Sequence, residues 1–320
     1  MDLIYTDERR QDVGVLKDYT FDLAFGSDEN DFELTLDAKN HCCTPDCLLY
    51  IENTEYGGIV DGLGVVTNDN NLSYKGRTWH GVLASKIIAP RTVSGEANEV
   101  LGALLEDLGL TNLFVASNEE SGLMIESYSF KQYVDAYSGI KKMLESVNGK
   151  MKFLFSGGMV AVSALRAVDY SKDEQFDSEQ VEMSIEKTFN TVNHLICVEK
   201  QDAEDKKGLP TVHLYKDTDG TFKQSETPLV SGIQEISRIY EYSSEDDLKK
   251  LIAGESDKLK EYLSTDKIQM DFSADENTYD VGDIVGAKES ITGIVASEKI
   301  TKKIVTIREG EVNIQYKVGE

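Results

Sequence analysis

The sequence predicts an α+β fold that is mainly β, with strands concentrated towards both ends of the chain. Residues 19–25 alternate hydrophobic and polar side chains, which is the period of a half-buried strand. Residues 97–108 instead place leucine, valine and alanine at helical spacing. Strand patterns return at residues 181–186 and again between residues 281 and 316. Strand-rich ends around a mixed middle therefore predict a β fold with helical insertions.

The first ninety residues predict a small β-barrel or sandwich. Turn signals separate their strands, among them Asn68–Asn71, because asparagine and aspartate tolerate left-handed backbone conformations. Several short strands with frequent turns are typical of barrels and sandwiches. The strand patterns cover 19–25, 32–36, 48–52, 58–66 and 72–79, and Pro90 closes this first domain, residues 1–90.

A small α/β insertion domain is predicted next. Its first helix covers 97–108, and Ser94 is the expected N-cap. A second helix is expected from Phe130 to Val147, because Ser129 and Gln132 have the spacing of a capping box. Short strand patterns at 112–116, 151–155 and 160–168 complete this domain, residues 91–175.

The remaining sequence predicts a second, discontinuous β domain interrupted by an insertion. Asp217–Gly220 is a hairpin turn signal, and residues 244–263 have helical spacing behind a cap at Ser243 or Ser244. Gly58–Val60 and Gly293–Val295 open similar strand patterns, which is a weak indication that the two β domains are related. The expected division is 176–216 with 265–320 for the second β domain, and 217–264 for the hairpin and helical insertion.

The charge balance argues against nucleic-acid binding and membrane association. The 320 residues contain 33 Lys+Arg and 58 Asp+Glu, so the net charge of −25 repels phosphates and anionic lipids. No apolar run approaches the roughly 20 residues that span a bilayer, and Met1–Arg10 lacks the apolar stretch of a secretory signal. We expect no sequence-specific nucleic-acid binding, no membrane insertion and synthesis in a cytoplasm.

The search for catalytic motifs predicts a protein that is not an enzyme and uses no cofactor. Phosphate-binding loops, dinucleotide fingerprints, zinc-protease helices and nucleophile elbows are all missing from the sequence. Asp217–Gly220 resembles the start of a calcium loop, but the required glutamate is missing further on. A hairpin turn is therefore the preferred interpretation of that segment.

One short loop has the residue types of a metal site. Three soft ligands and an imidazole could surround zinc. Adjacent cysteines do not easily face one ion, however, and no second pair of ligands follows. We therefore predict a loop of small, partly buried thiols and keep the metal site as the weaker alternative. The residues concerned are His41, Cys42, Cys43 and Cys47.

The segment Tyr74–Leu83 resembles a family of phage tail-tip proteins, the baseplate hub and tail-associated lysin proteins of siphophages and prophages. Its signature positions are Tyr74, Gly76, Arg77, Trp79 and Gly81, which we expect to have structural roles. The resemblance extends along the whole chain. It is carried also by Asp2–Asp7, Tyr19–Gly26, Tyr56–Asp61, Val192–Cys197, Tyr279–Gly286, Ile300–Val305 and Tyr316–Gly319.

This resemblance implies two related tube-type β-barrel domains with α/β and helical insertions. Three copies would form a ring that continues the tail tube and lets DNA pass, and some of the acidic residues would line the channel. The implied partners are the distal tail protein, the tail tube and other tail-tip proteins. The implied location is the virion tail tip, assembled in the cytoplasm of the bacterial host.

Two other functions remain open at this point. One is a tail-associated cell-wall hydrolase, such as a peptidase, and the other is a module that binds the host surface. Lysin-type members of the family continue into a long extension, whereas this sequence stops soon after its last predicted strand. That departure and the missing motifs favour the structural hub.

Overall fold

Antiparallel strands dominate the computed structural model of the chain, which confirms the predicted mainly β, α+β fold class. The structure describes residues 1–66, 70–172, 175–179, 181–187, 191–200, 208–217, 221–254, 259, 266–274 and 278–319. The predicted turns at Asn68–Asn71 and Asp217–Gly220, and the second half of the predicted helix at 244–263, lie partly outside these residues. No described helix is long and apolar enough to cross a membrane.

The strands of the N-terminal half run in chain order as follows. They are β1 (Leu3–Thr6), β2 (Asp12–Leu16), β3 (Thr20–Gly26), β4 (Asp31–Asp37), β5 (Leu48–Tyr50), β6 (Gly57–Val66), β7 (Asn71–Thr78), β8 (Ile87–Ile88), β9 (Arg91–Glu96), β10 (Phe114–Ala116), β11 (Met124–Phe130), β12 (Val134–Asp135), β13 (Gly149–Ser156) and β14 (Met159–Arg166).

The C-terminal half adds ten more described strands. They are β15 (Gln175–Asp177), β16 (Met183–Lys187), β17 (His194–Glu199), β18 (Val212–Lys216), β19 (Phe222–Gln224), β20 (Ser237–Tyr242), β21 (Asp266–Ala274), β22 (Ile284–Lys288), β23 (Val295–Arg308) and β24 (Glu311–Val318). The described helices are α1 (Trp79–Ala84), α2 (Ala97–Asp107), α3 (Ala136–Glu145) and α4 (Glu245–Ile252), with single 3-10 turns at Ala38–Asn40 and Gly232–Gln234.

Helix α2 begins at the predicted residue but has a different N-cap, and α3 begins later than predicted. The N-cap of α2 is Glu96, whose carboxylate accepts from the backbone amides of Asn98 and Glu99, and not Ser94. The N-cap of α3 is Asp135, which accepts from the amide of Ser138. The predicted capping box at Ser129 is wrong, because Met124–Phe130 pairs with β9 as a strand. Ser244 does cap α4, as predicted.

The chain divides into two compact units. Unit 1 contains Met1–Ser184 and Ile268–Glu320, and unit 2 contains Ile185–Lys267. The principal sheet of unit 1 includes the strands β21-β24-β23-β3-β4-β7-β6-β5-β1-β2, in that order. The pairing of β3 with β23 joins the first and last parts of the chain, with Leu23 opposite Val305 and Phe21 opposite Ile307. The two strand-rich ends therefore form one continuous sheet.

The sheet of unit 1 has one apolar face and one polar face. On β4 and β7 every second residue is buried, as in Phe32, Leu34 and Leu36 of β4. The apolar face and the α/β insertion share a core that includes Trp79, Phe153 and Phe155. In the insertion, α2 and α3 pack with the sheet β10-β14-β13, in which β10 and β14 are parallel.

Unit 2 is a small four-stranded sheet with the order β19-β18-β17-β20. Strand β17 pairs antiparallel with β18 and parallel with β20. Leu195, Leu214 and Phe222 form its core with Leu248 and Leu251 of α4. Helix α4 is amphipathic, so its apolar stripe covers the sheet.

Unit 2 is larger than the predicted insertion at 217–264. The prediction assigned 176–216 to the second β domain, but β17 and β18 pair inside unit 2. They do so because the apolar residues of β17 and β18 share a core with β19 and α4. The strands β21 to β24, within the predicted range 265–320, pair with one another and with β3.

Candidate functional site

Two glycines of the signature segment allow the backbone to pack closely. A Cβ atom at Gly76 would lie 1.9 Å from the carbonyl oxygen of Ile59, and one at Gly81 would lie 2.0 Å from that of Asn30. Real Cβ atoms do not approach an oxygen so closely. The ring of Phe32 lies against Gly76 as well. Glycine is therefore required where β7 pairs with β6 and in the first turn of α1.

Arg77 forms a bidentate ion pair on the polar face of the sheet. Its Nε lies 2.8 Å from Oδ2 of Asp61 and its Nη2 lies 2.7 Å from Oδ1. Hydrogen bonding to Asp61 raises the pKa of the Arg77 guanidinium. The pair closes the bulge in β6 between Val60 and Gly62. Arg77 thus fixes the local geometry of two neighbouring strands.

Trp79 and Tyr74 are anchors of the core. Trp79 is fully buried and stacks on Phe155 of the insertion, with ring centroids 5.4 Å apart. The hydroxyl of Tyr74 accepts hydrogen bonds from the backbone amides of Cys42 and Cys43, each at 3.0 Å. The signature therefore connects the β sheet, the insertion and the cysteine loop.

A buried ionic cluster lies beside the signature in unit 1, and we define it by Glu55, Lys150, Asp280, Asp283 and Lys303. The Nζ of Lys150 donates to both carboxylate oxygens of Asp283, at 2.8 and 2.7 Å, and to Asp280 at 2.9 Å. Asp283 is fully buried. Its carboxylate also accepts from the backbone amides of Val168 and Asp280. Each partner therefore compensates the buried charge of another.

Lys303 forms the other half of the buried ionic cluster. It is fully buried on β23, and its Nζ donates to the carboxylate of Glu55. The same Nζ lies 5.6 Å from the ring centroid of Phe25 and 5.7 Å from that of Tyr316. Rings at this distance stabilise a desolvated cation through their quadrupoles. Lys303 therefore ties the C-terminal strands to the N-terminal β domain.

Burial and pairing act in opposite directions on the ionisable groups of the cluster. Burial acts to raise the pKa of Asp280, but the ammonium groups of Lys150 and Lys152 outweigh it and lower that pKa. Burial likewise acts to lower the pKa of Lys150, but Asp280 and Asp283 raise it. Both shifts favour the charged forms, so Asp280 and Lys150 form a salt bridge at neutral pH.

The space beside the buried ionic cluster is too small for a substrate. The adjoining cavity has a volume of about 20 Å³ and is lined in part by Glu55, His80, Lys150 and Asp280. A cavity of this volume holds about one water molecule. The buried ionic cluster therefore has a structural role: its ion pairs connect the N-terminal β domain, the insertion and the C-terminal strands.

His80 lies at the edge of this cavity as a neutral side chain. It stacks on Phe25, with ring centroids 4.6 Å apart, and its Nδ1 has no hydrogen-bond partner. Burial and the neighbouring Lys303 lower the pKa of His80 to about 3. The unfolded chain binds a proton at this residue below about pH 6.5, whereas the folded chain does not. Folding is therefore coupled to proton release.

This coupling makes stability dependent on pH. Between about pH 6.5 and pH 3, the His80 contribution should lower the free energy of unfolding by up to about 1.4 kcal/mol per pH unit of acidification. We expect His80→Phe to flatten the fall in stability relative to the wild type, in urea unfolding monitored between pH 7 and pH 4. The exposed His41→Phe variant is the control and should follow the wild type. Equal slopes for His80→Phe and wild type would contradict the assignment.

Part of the buried ionic cluster lies in segments that carried the resemblance, although its role was not predicted. Asp280 and Asp283 lie in Tyr279–Gly286, and Lys303 lies in Ile300–Val305. The available signal was a charged residue, Lys303, inside the partly apolar strand β23. Nothing in the local pattern indicated Glu55 or Lys150, because their partners come from distant parts of the chain.

The cysteine loop connects β4 to β5. Cys43 and Cys47 are buried, Cys42 is half-buried and His41 is exposed. The sulfur atoms of Cys42 and Cys43 lie 3.7 Å apart, so adjacent thiols do approach each other here. All four cysteines of the chain are free thiols. Within the described part of the chain, no three His, Cys, Asp or Glu side chains are arranged to hold a metal ion.

His194, in unit 2, is engaged by side chains of its own sheet. Its Nδ1 lies 2.6 Å from the carboxylate of Glu235, and its Nε2 lies 2.8 Å from Nδ1 of His213. The ring also stacks on Tyr215, with centroids 4.3 Å apart. These contacts give His194 a place in the hydrogen-bond network of unit 2.

The polar face of the unit 1 sheet carries charges of both signs. Three carboxylate–cation pairs cross it, formed by Lys75 with Glu33 at 3.5 Å, Arg77 with Asp61 at 2.7 Å, and Lys317 with Asp271 at 3.8 Å. The hydroxyl of Thr306 donates to Asp22 across the β3–β23 junction. These pairs therefore neutralise part of the acidity on this face.

The outer half of β6 is an open strand edge. Its first residues pair with β5, but residues 62–66 pair only with β7 among the described strands. Leu63 lies opposite Tyr74 and Val65 opposite Leu72, so both side chains point to the apolar face. Leu63 is 49% exposed and Val65 is 58% exposed. The apolar face of the sheet thus extends to an edge that none of the described strands covers.

Comparison with solved structures defines the class of this fold, which is that of phage and prophage tail proteins. The prophage tail protein gp18 from Listeria monocytogenes EGD-e has a TM-score of 0.58 at 10% identity, covering 99% of this chain and 94% of that chain. The tail protein from Neisseria meningitidis MC58 has a TM-score of 0.53 at 12% identity, covering 100% and 96%. A chain of the p2 virion baseplate in its activated conformation has a TM-score of 0.50 at 11% identity, covering 99% and 98%.

These similarities confirm the predicted resemblance at the level of the fold. No protein-family model and no curated protein matches the sequence. The low identities agree with a fold maintained by alternating burial and a few close-packed positions rather than by an extended common sequence. Function therefore has to be argued from the structure of this chain.

Proposed function

We propose that this protein is a structural subunit of a phage or prophage tail tip, a baseplate hub whose three copies form a ring. The ring continues the tail tube and allows DNA to pass. The observation that carries the proposal is the continuous sheet of unit 1, in which β3 and β23 join the two ends of the chain. Each copy would contribute this sheet as one segment of the tube wall.

The two faces of that sheet have the properties that a tube wall needs. On the apolar face, Leu48 and Tyr50 of β5 pack into the core of the insertion. The opposite face is polar, and its ion pairs neutralise one another. A wall without a large positive field does not bind passing phosphates. The passage of DNA in this proposal therefore does not require an acidic channel lining that repels it.

The open edge of β6 is the surface that we assign to the contact between copies. Exposed strand edges with apolar side chains pair readily with another strand. An isolated monomer would leave Leu63 and Val65 in water, whereas a neighbouring copy would bury them. Heterologous contacts of this kind close into rings when the rotation between copies allows it.

Charged side chains on the β6 edge should prevent ring formation. The double variant Leu63→Lys/Val65→Lys places two cations on the apolar face of that edge, where burial against a second copy would leave them unpaired. We expect wild-type protein to sediment as a trimer at high concentration, or on addition of tail tube protein, and the double variant to remain a monomer. Sedimentation velocity across a concentration series measures both species.

A matched control separates an edge effect from a general charge effect. Ile291 is 94% exposed in the turn between β22 and β23, away from β6. Ile291→Lys should assemble like the wild type. A trimer formed equally well by the Leu63→Lys/Val65→Lys variant would exclude the β6 edge as the contact. A wild-type protein that stays monomeric with tail tube protein present would contradict the ring.

The proposed role is structural and not enzymatic. The buried ionic cluster of unit 1 is internally paired and adjoins a cavity of about 20 Å³. We propose the distal tail protein, the tail tube and other tail-tip proteins as partners and the virion tail tip as the location. A peptidoglycan zymogram with the purified chain tests this, because clearing of the gel would support the hydrolase alternative.

A further inference from the structure

A groove in the α/β insertion has no role in the proposed ring. Its volume is about 1020 Å³, and its lining comes from α2, β10, the loop 117–122 and the beginning of β11. This groove lies entirely within unit 1. A groove of this volume is large enough for several residues of an extended peptide.

One wall of the groove is the free edge of β10. Strand β10 pairs with β14 alone among the described strands. The amide of Ser117 donates to Val162, and the carbonyl of Leu113 accepts from Val160, so the odd-numbered residues direct their backbone groups to β14. In a strand the neighbouring residue directs its backbone groups to the other side. Ala116 therefore presents its N–H and C=O to the groove.

The surface beside that edge is apolar. Leu105 and Phe114 are buried beneath it, and both contribute to its lining. Val115 is 44% exposed and Met124 is 61% exposed. Exposed methionine beside a strand edge provides an adaptable apolar surface for the side chains of an incoming segment.

The rim of the groove is acidic and held in place before any partner binds. Glu119 and Glu120 are exposed in the loop that closes one end, and Glu99 is exposed on α2. The buried side chain of Asn98 donates to the carbonyl of Glu119 at 2.7 Å and accepts from the amide of Ala164 at 2.7 Å. The rim is therefore already ordered before a partner binds, and this reduces the entropic cost of binding.

We propose that this groove binds an extended segment of another protein, in which apolar residues alternate with lysine or arginine. The segment would add as a strand to β10, with its backbone bonded to Ala116. Its apolar side chains would lie on Val115 and Met124, and its cations would meet the glutamates of the rim. The acidic rim selects a basic segment over a neutral or acidic one. This proposal does not depend on the ring.

A library of random twelve-residue peptides, selected against the purified full-length protein, tests the proposal. We expect the selected peptides to be enriched in lysine and arginine alternating with β-branched residues. The strongest peptide is then titrated against the variants by fluorescence anisotropy. Glu119→Lys/Glu120→Lys should weaken its binding by roughly tenfold or more, because both rim charges are reversed.

Two further variants make the outcome decisive. Ala116→Pro removes the free N–H without removing a bond to β14, and it should also weaken binding. Glu106→Lys reverses an exposed charge on α2 outside the groove lining and should bind like the wild type. The proposal is overturned if no peptide is enriched, if basic residues are not enriched, or if the rim variant binds as tightly as the wild type.

Discussion

Asp283→Ala should destabilise unit 1 by about 3–5 kcal/mol, the range found when one partner of a buried ion pair is removed. Asp283 is fully buried and receives Lys150 on both of its carboxylate oxygens. Alanine would leave that ammonium with Asp280 alone, and the amides of Val168 and Asp280 would lose their acceptor. Trp79, the single tryptophan of the chain, lies in the core of unit 1 and reports its unfolding.

The measurement is urea unfolding at pH 7 followed by Trp79 fluorescence. Asp271→Ala is the matched control, because Asp271 forms an exposed pair with Lys317 at 3.8 Å. Removing it should change stability by less than about 1 kcal/mol. The double variant Lys150→Met/Asp283→Leu should recover part of the loss, since it leaves no uncompensated charge. A loss below about 1 kcal/mol for Asp283→Ala would show that the buried ionic cluster does not hold unit 1 together.

Gly76→Ala is expected to lower the free energy of unfolding by a similar amount, about 3 kcal/mol or more. The new Cβ would clash with the backbone, so no movement of a side chain can remove the clash. The new Cβ would lie 1.9 Å from the backbone oxygen of Ile59 and 2.7 Å from the ring of Phe32. Relief requires β6 and β7 to separate, which breaks the hydrogen bonds beside the signature. We expect little soluble protein, and a strongly lowered unfolding midpoint for the fraction that folds.

Gly62→Ala is the matched control in the same pair of strands. A Cβ atom at Gly62 meets no atom within 4 Å. Alanine there reduces the freedom of the unfolded chain, so stability should stay within about 0.5 kcal/mol or rise. Equal effects at Gly62 and Gly76 would mean that glycine is needed for chain flexibility and not for close packing.

The principal sheet could be predicted from the sequence because one of its faces is buried and the other is polar. Phe21, Leu23 and Phe25 in β3 are buried, with Asp22 between them on the other face, and this produces the alternating pattern. The start of α3 could not be predicted in the same way. Phe130 has helical spacing to the residues that follow it, but Met124–Phe130 gains more by pairing with β9.

The buried ionic cluster was beyond prediction for a different reason. A lysine in a strand normally indicates the solvent-facing side, and Lys303 and Lys150 violate that rule. Each is buried only because a carboxylate arrives from a distant position, Glu55 in one case and Asp283 in the other. Local sequence patterns do not show which distant residues will form an ion pair. The five signature residues were found through resemblance, and the structure gives each of them a defined contact.

The pairing of β3 with β23 has a consequence for synthesis in the cell. Gly26 pairs with Lys302, 276 positions later in the chain (302 − 26), and translation at about 5–20 residues per second takes roughly 15–60 s to cover that distance. During that interval the edge of β3 that pairs with β23 in the folded protein is unpaired. Contacts between segments so far apart in the sequence also form slowly. The nascent polypeptide is therefore exposed to wrong partners until its late strands emerge, a period in which chaperones have time to act.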